Sequence, residues 1–486
     1  MGIGEKVLKA ENDCECKICR KPAEKKESQV AEMASITHYM HENRERIGVA
    51  VRMAWPSVLE SFFVALAGLI DSLMVSKMGA YAVAAVGLTT QPKFLGLALF
   101  IALNVSVSAV VARRRGERDK RGANQALMMA LLFTLGAGAI LSVLCVFLAD
   151  PIIRLCGSGE DTHASAVLYF QMIMGCMLFN ILSLVINAAQ RGAGNTKIAM
   201  KTNVTSNVVN MIGNYLLING HFGFPALGIK GAAIATVFGT VLACIMSFRS
   251  LFKADAFVSI PYMIQERLRP SLAPVQSMVK ISSSVFTEQV LMRIGFVSTA
   301  VMAAKLGTAA MAAHQVGMNI MSLSFSFGDG MQAAAVALIG KSLGEKRPDE
   351  AVKFGNICQR IGNIISIVLS MVYLLGGRFL YHLFFEEEEI IGLGILIMRL
   401  MVVIVLLQIA QVIYMGCLRG AGDVMFTMMA STFSVTLVRT GVSYFMGYVL
   451  NLGLIGVWMG IAGDQFSRFL LTTWRFKSGK WTKVKL

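Results

Sequence analysis

The chain has 486 residues, of which 55% are hydrophobic and only 15% are charged. A soluble domain carries about 25% charged residues, so the composition argues against a soluble protein and indicates one that crosses a membrane. The formal net charge of +16 would suggest a nucleic-acid partner in a soluble protein. Here the basic residues are grouped between apolar segments, which is the pattern of membrane orientation, and we expect no nucleic-acid partner.

Residues 1–47 form a polar tail rich in Lys and Glu, without the apolar segment of a signal peptide. The tail contains Cys14, Cys16 and Cys19, three thiols whose spacing suits Zn²⁺ with His38 or His41 as a fourth ligand. Reduced thiols in an unstructured tail explain the same residues, and we prefer that interpretation. The cysteines remain a zinc candidate only, and we expect no metal elsewhere.

Twelve apolar segments follow, and each is long enough to cross the roughly 30 Å hydrocarbon core as an α-helix. They lie near residues 50–76, 82–111, 123–148, 165–189, 197–219, 229–252, 276–304, 310–340, 354–378, 391–417, 424–449 and 454–474. Six segments fall in a predicted N-terminal lobe, 48–252, and six in a C-terminal lobe, 276–476. A linker with three prolines, 253–275, joins the lobes, and 477–486 form a C-terminal tail.

The two halves repeat each other with a constant offset of 228 residues. Arg191-Gly192-Ala193-Gly194 returns as Arg419-Gly420-Ala421-Gly422, and Glu60 maps to Glu288. Because six segments are an even number, both halves enter the membrane from the same face, and such repeats place the substrate between them. We therefore predict an all-α polytopic membrane protein with twelve transmembrane helices in two pseudo-symmetric six-helix lobes.

Lys and Arg concentrate on the side of the bilayer that carries the N-terminal tail and both Arg-Gly-Ala-Gly segments. The opposite side carries the acidic run 386–389. Since cytoplasmic loops carry the excess of Lys and Arg, we predict a multi-pass protein of the cytoplasmic membrane with both termini in the cytoplasm.

Charged side chains inside a bilayer are costly and therefore mark functional candidates. Glu60 and Asp71 share one face of the first segment, and Glu288 in the seventh segment is the repeat partner of Glu60. Asp71 maps to Thr299, so we expect the halves to differ chemically, with Asp71 able to bind H⁺ or Na⁺. Glu288 either lines a cavity or pairs with Arg293.

Neutral polar side chains extend this candidate site. Asn207, Asn210 and Asn214 form one stripe on the fifth segment, which either lines an aqueous cavity or joins helices by hydrogen bonds. The candidates for a substrate cavity are Glu60, Glu288, Asn180, Gln315, Gln408 and Gln411.

Several motifs together resemble the multidrug and toxic compound extrusion (MATE) transporters. They are Asp71-Ser72 to Gly79, Leu306-Gly307 with Ala312-Ala313-His314-Gln315, Gln190-Arg191-Gly192-Ala193-Gly194-Asn195-Thr196, Leu418-Arg419-Gly420-Ala421-Gly422-Asp423, and Asn210 to Thr236. The resemblance covers roughly residues 50–475. It implies two six-helix lobes around a central cleft and the export of organic cations in exchange for Na⁺ or H⁺.

The resemblance also implies an ion-coupling site made of Asp71, Asn210, Asn214 and Thr236, with Glu288 as a further acid. Asn214 and Gln408 each stand where part of that family has Asp. A lone carboxylate among neutral amides is a weaker cage for Na⁺ than a pair of carboxylates, and this favours H⁺.

From these features we predict a multidrug efflux antiporter for amphipathic or cationic compounds, coupled to H⁺ or Na⁺. We expect small-molecule substrates and the lipid bilayer as its partners, a monomeric state, and no cofactor besides the coupling ion. The six His residues form no H-E-x-x-H motif, so we do not expect an enzyme. The alternative is a lipid-linked oligosaccharide flippase with a related double lobe, whose cleft should be rich in basic residues.

Overall fold

Long apolar helices dominate the chain because a helix satisfies its own backbone hydrogen bonds where no water is present. The computed structural model describes residues 44–76, 78, 80–156, 158–253, 256–271 and 273–484, and nearly all of them are helical, with no strand among them. The cysteines of the predicted zinc candidate lie outside these residues. Contacts group Arg52–Leu486 into one compact unit, which contains both halves of the repeat.

The N-terminal half consists of eight helices in the described residues. They are α1 (Arg44–Ser76), α2 (Ala80–Gly116), α3 (Lys120–Phe147), α4 (Ala149–Leu155), α5 (Glu160–Gly175), α6 (Met177–Gly192), α7 (Thr196–Asn219) and α8 (Ile229–Leu251). A short helix, α9 (Ile260–Gln265), lies within the predicted linker.

The C-terminal half repeats this order. They are α10 (Ala273–Lys305), α11 (Thr308–Gly344), α12 (Pro348–His382), α13 (Glu388–Ala421), α14 (Val424–Thr432), α15 (Thr440–Tyr444) and α16 (Gly453–Lys477). The π-helical turns Phe433–Arg439 and Phe445–Val449 make α14 and α15 part of one continuous helical run. Short 3₁₀ turns occur at His221–Gly223 and Lys480–Lys483.

Each of the twelve predicted segments coincides with one helix or one run of consecutive helices. The segment predicted at 165–189 is α5 and α6, which meet at a bend of 44°. By length and apolarity, seven of the described helices are able to cross a membrane, or eight if the bent pair is one span. Twelve crossings therefore stay a prediction.

Equivalent helices pack in equivalent ways in the two halves. Helix α2 packs on α6 as α11 packs on α13, and α7 packs on α8 as the α14–α15 run packs on α16. Between the halves, α2 packs against α10 and α11, and the Ser282 hydroxyl donates a hydrogen bond to Ser106 Oγ at 2.9 Å.

The ends of α2 and α11 approach each other so closely that only glycine fits at the crossing. A Cβ atom on Gly116 would lie 2.0 Å from the carbonyl oxygen of Lys341, and one on Gly344 would lie 2.1 Å from the carbonyl oxygen of Arg113. Gly344 and Lys341 are the repeat partners of Gly116 and Arg113. The pseudo-twofold axis of the repeat therefore passes through this crossing, on the side of the molecule that carries the basic loops.

Candidate functional site

A cavity of about 770 Å³ lies between the two halves. Helices from both halves line it, with Glu60 on α1, Asn203 on α7, Glu288 on α10, Asp329 on α11 and Arg468 on α16. Its size falls in the range of about 300–1,000 Å³ that is usual for small-molecule sites. The cavity therefore has room for a drug-sized compound.

Two ion pairs, at equivalent positions of the repeat, lie in the walls of this cavity. In the N-terminal half, Arg191 Nη1 lies 2.9 Å from Glu60 Oε1, and Arg191 Nη2 donates to Asn104 Oδ1 at 3.0 Å. In the C-terminal half, Arg419 Nη2 donates to both oxygens of Glu288 at 2.8 Å. Both arginines come from the Arg-Gly-Ala-Gly segments, which end on Gly194 and Gly422 in the left-handed backbone region that glycine tolerates (φ 79° and 88°).

The pairing corrects the suggestion that Glu288 is bound by Arg293. Arg419 holds Glu288, whose side chain is 1% exposed, while the Arg293 guanidinium lies over the Phe94 ring, with its carbon 5.0 Å from the ring centroid. The arginine was hard to identify because it is 131 residues away from the glutamate in the sequence. The same separation joins Arg191 to Glu60, so the repeat itself contained the signal.

The four residues of the predicted ion-coupling site lie together in the N-terminal half. Asn214 Nδ2 donates to Asp71 Oδ1 at 2.7 Å. With its amide turned by half a rotation, Asn210 donates to both Asp71 oxygens at 3.0 Å and accepts from Thr236 Oγ1 at 3.0 Å, which satisfies all of these groups. Asp71 is therefore held by neutral amides, and the Asn214 oxygen remains without a hydrogen-bond partner.

Thr236 is the member of this cluster that lies near the central cavity. Lys93, Asn180 and Thr240 line the central cavity and also a smaller cavity of about 40 Å³, which Thr236 helps to line. Asp71 itself is only partly buried. Within the described part of the chain, its carboxylate is held by an amide hydrogen bond and not by a salt bridge.

Most of the side chains predicted to line a cavity do so. Glu60, Glu288, Asn180 and Gln411 line the central cavity, whereas Gln408 and Gln315 do not. Gln408 lies one helical turn before Gln411 on α13, and its side chain is buried. Gln315 is exposed and donates to Asn319 at 3.5 Å, because its part of α11 lies more than two turns before Phe325, where that helix begins to line the cavity.

Lys93 and Asp329 also line the cavity, and neither was predicted as a site residue. Lys93 interrupts the apolar segment of α2 and interacts electrostatically with Asp71. Asp329 likewise lies within the apolar segment of α11. The signal for both was a charge inside an apolar segment, which marks a functional candidate by itself.

A second charged cluster lies in the C-terminal half, and Arg468, one of its three members, lines the cavity. Asp464 accepts two hydrogen bonds from Arg468, at 2.8 and 2.9 Å, and lies 3.8 Å from Arg439 Nε. The repeat partners of these three residues are Thr236, Thr240 and Met211. The C-terminal half thus carries three charges where the N-terminal half carries none, and Arg439 belongs to a π-helical turn, a feature common at functional sites.

Groups of three or more His, Cys, Asp or Glu side chains able to hold a metal are absent from the described part of the chain. The six cysteines described there, Cys145, Cys156, Cys176, Cys244, Cys358 and Cys417, are free thiols.

The family model MatE matches the chain twice, at residues 56–216 and 285–445, once in each half. The chain belongs to the MatE family. Its fold is therefore that of a two-lobed, all-helical membrane transporter, and it is not an enzyme. Both predictions are confirmed.

Relatives and solved structures agree with this membership over most of the chain. A "Probable multidrug resistance protein NorM" of Thermotoga maritima is 25% identical over 440 residues, which cover 89% of this chain and 92% of that protein. The "Uncharacterized transporter YisQ" of Bacillus subtilis is 24% identical over 435 residues, 88% of this chain and 94% of that protein. A structure titled "Outward-facing conformation of a multidrug resistance MATE family transporter of the MOP superfamily" aligns with a TM-score of 0.83 at 24% identity, covering 90% of this chain and 97% of that one.

Proposed function

We propose that this MatE protein exports amphipathic compounds from the cell by antiport, as a monomer in the cytoplasmic membrane. The name of the Thermotoga maritima relative, a probable multidrug resistance protein, supports a role in multidrug efflux. The cavity between the lobes supports it as well, because its walls combine polar groups with the apolar side chains of Phe94, Phe325 and Val412.

The observation that carries the proposal is the environment of Asp71. Of the three acids singled out in the sequence, Glu60 and Glu288 are bound by arginines, whereas Asp71 is bound by amides. An arginine-bound carboxylate must break a strong ion pair to take up another cation. Asp71 binds an ion at the lower cost of rearranging neutral hydrogen bonds, so it is the carboxylate suited to the coupling ion.

The coupling ion that this site favours is H⁺, with Na⁺ as the alternative. A protonated Asp71 would supply a donor beside Asn214, whose side-chain oxygen has no hydrogen-bond partner. Na⁺ bound to Asp71 would be repelled by the ammonium group of Lys93, which interacts electrostatically with the same carboxylate, because like charges in a low-dielectric environment repel strongly.

The conformation described faces outward if the basic loops are cytoplasmic. The lobes meet at the Gly116–Gly344 crossing, beside Arg113 and Lys341, and the excess of Lys and Arg assigns this end to the cytoplasm. Protonation of Asp71 then biases the equilibrium between the two facings, because the carboxyl group gains a donor that the ionised form lacks.

Transport by proteoliposomes with separately imposed H⁺ and Na⁺ gradients tests the proposal. An H⁺ gradient, acid on the side opposite to the substrate, should drive substrate movement, and a Na⁺ gradient at equal pH should not. Substrate movement that is insensitive to both gradients would refute antiport.

The basic cavity residues also favour a second candidate, the flippase for lipid-linked oligosaccharides. Five of the eight ionisable side chains that line the cavity are basic. Two of the five, Arg191 and Arg419, are bound to glutamates, which leaves fewer cations for a pyrophosphate. A lipid-flipping assay with a fluorescent polyprenyl-diphosphate sugar decides between the two candidates.

A further inference from the structure

We infer that the substrates of this transporter carry an acid group, and that the C-terminal lobe binds this group through Arg293. The inference rests on the proposed export function and deepens it, because the family resemblance implied cationic substrates. The sign of the substrate's charge depends on which cavity charges remain available after the internal ion pairs have formed.

The internal pairs remove the glutamates from consideration. Glu60 is neutralised by Arg191 and Glu288 by Arg419. Asp329, the remaining acid of the cavity wall, interacts electrostatically with the same two arginines, and it therefore belongs to the end of the cavity where those pairs lie. Lys93 in turn interacts with Asp71.

What remains on the wall of the C-terminal lobe is positive. The ionisable side chains of this lobe that line the cavity are Arg293, Arg419, Arg468, Glu288 and Asp329, and Asp464 and Arg439 extend this set through the contact of Asp464 with Arg468. One carboxylate, Asp464, serves both Arg468 and Arg439. Arg439 is fully buried, and none of its three guanidinium nitrogens has a hydrogen-bond partner. This uncompensated charge lies in surroundings that screen it poorly, so its field extends into the cavity.

Arg293 has the geometry of a binding residue. Its guanidinium lies over the Phe94 ring, and within the described residues no hydrogen bond or ion pair occupies its donors. The N–H groups of a guanidinium without such partners match the two oxygens of a carboxylate. Phe94 and Phe325 offer apolar surface for the body of an amphipathic compound, because both line the cavity and both are more than one-third exposed.

Two probes with one aromatic body and opposite charge test the inference. Pyrenebutyrate is the anion and pyrenebutyltrimethylammonium the cation, and fluorescence anisotropy measures the binding of each to the full-length protein in phosphatidylcholine nanodiscs. The wild type should bind the anion at least about tenfold more tightly. Arg293→Gln should weaken anion binding by about ten- to a hundredfold, the effect of one charge-assisted hydrogen-bond pair, without weakening cation binding.

Two further variants separate the role of Arg293 from a general effect. Lys305→Gln removes an exposed charge from the same helix and should leave anion binding unchanged. Arg293→Lys keeps a positive charge at the site, so it should bind the anion more tightly than Arg293→Gln does. Preference of the wild type for the cation, or equal anion binding by Arg293→Gln and Lys305→Gln, would overturn the inference. The comparison of the two probes on the wild type remains decisive if Arg293→Gln does not fold.

Transport of the same probes distinguishes this inference from the proposed function. Gradient-driven transport of the cation alone would overturn the acid-group inference and leave antiport standing. Selective binding of the anion, without gradient-driven transport of either probe, would support the inference and overturn antiport.

Discussion

Arg419 binds both carboxylate oxygens of Glu288 at 2.8 Å, and Arg191, 228 positions earlier in the chain, binds one oxygen of Glu60 at 2.9 Å. Each pair joins the first helix of a lobe to the Arg-Gly-Ala-Gly segment at the end of the fourth span. The pairs are not identical, because Asn203 donates to Glu60 at 2.6 Å, whereas its repeat partner Ser431 donates to the sulfur of Met415. The pair in the C-terminal lobe is the more deeply buried one.

Arg419→Gln should destabilise the protein by about 3–5 kcal/mol, because it leaves the buried charge of Glu288 without a partner. The double variant Glu288→Gln/Arg419→Gln should be clearly more stable than Arg419→Gln alone. Unfolding in denaturant, monitored in mild detergent, measures both. The exposed pair Arg378–Glu388 is the control, and Arg378→Gln should cost no more than about 1 kcal/mol. Equal stability of the single and double variants would contradict the account of this pair.

Asp71→Asn should abolish H⁺-driven transport and leave folding intact. The amide replaces a carboxylate whose hydrogen-bond partners are neutral, so the variant keeps a similar shape and breaks no direct salt bridge. Transport in proteoliposomes and the thermal unfolding temperature are the two measurements. Asp150→Asn, which changes an acid of the short helix α4, serves as the control and should transport normally. Gradient-driven transport by Asp71→Asn at the wild-type rate would remove Asp71 from the mechanism.

The helical segments were predictable because length, apolarity and the repeat all mark them. The cluster of Asp71, Asn210, Asn214 and Thr236 was reached through family resemblance, and the structure places these side chains together. The sequence did not reveal the partners of the charged residues. Arg191 and Arg419 looked like loop residues, since a sequence does not show that a long side chain reaches back to a glutamate within the lobe.

The asymmetry of the charges was harder to predict than the symmetry of the fold. Under the repeat offset, Asp464 falls on Thr236 and Thr299 on Asp71, so each lobe carries an acid on a different helix. The repeat position of Asp71 in the C-terminal lobe is therefore a threonine, and it does not lead to the Asp464 cluster. Arg439, which approaches Asp464, ends a π-helical turn, and this turn has no counterpart in the regular helix α7.

Lys93→Met should create sensitivity to Na⁺ at the Asp71 cluster. The variant removes the ammonium group that interacts with Asp71 and leaves the oxygens of Asp71, Asn210, Asn214 and Thr236 available as ligands. Na⁺ that binds the folded state raises its stability in proportion to the logarithm of the salt concentration. The unfolding temperature should therefore rise by a few degrees between potassium and sodium buffers for Lys93→Met, and stay constant for the wild type. A sodium effect of equal size in both proteins would contradict the role given to Lys93.

Gly116→Ala should shift the protein away from the conformation described. The added Cβ would lie 2.0 Å from the carbonyl oxygen of Lys341, a distance that no side-chain rotation relieves because the opposing atom belongs to the backbone. The two helix ends must separate, and this favours the facing in which the lobes open at the basic end. Spin labels at Glu117 and Glu345, both exposed, should report a longer mean distance in the variant. Gly136→Ala adds a methyl group where no atom lies within 4 Å, and it should leave the distance unchanged.

Because Gly344 is the repeat partner of Gly116 and meets Arg113 in the same way, Gly344→Ala should lengthen the distance as well. An effect of only one of the two substitutions would show that the crossing is not the symmetric contact that closes this end of the cavity.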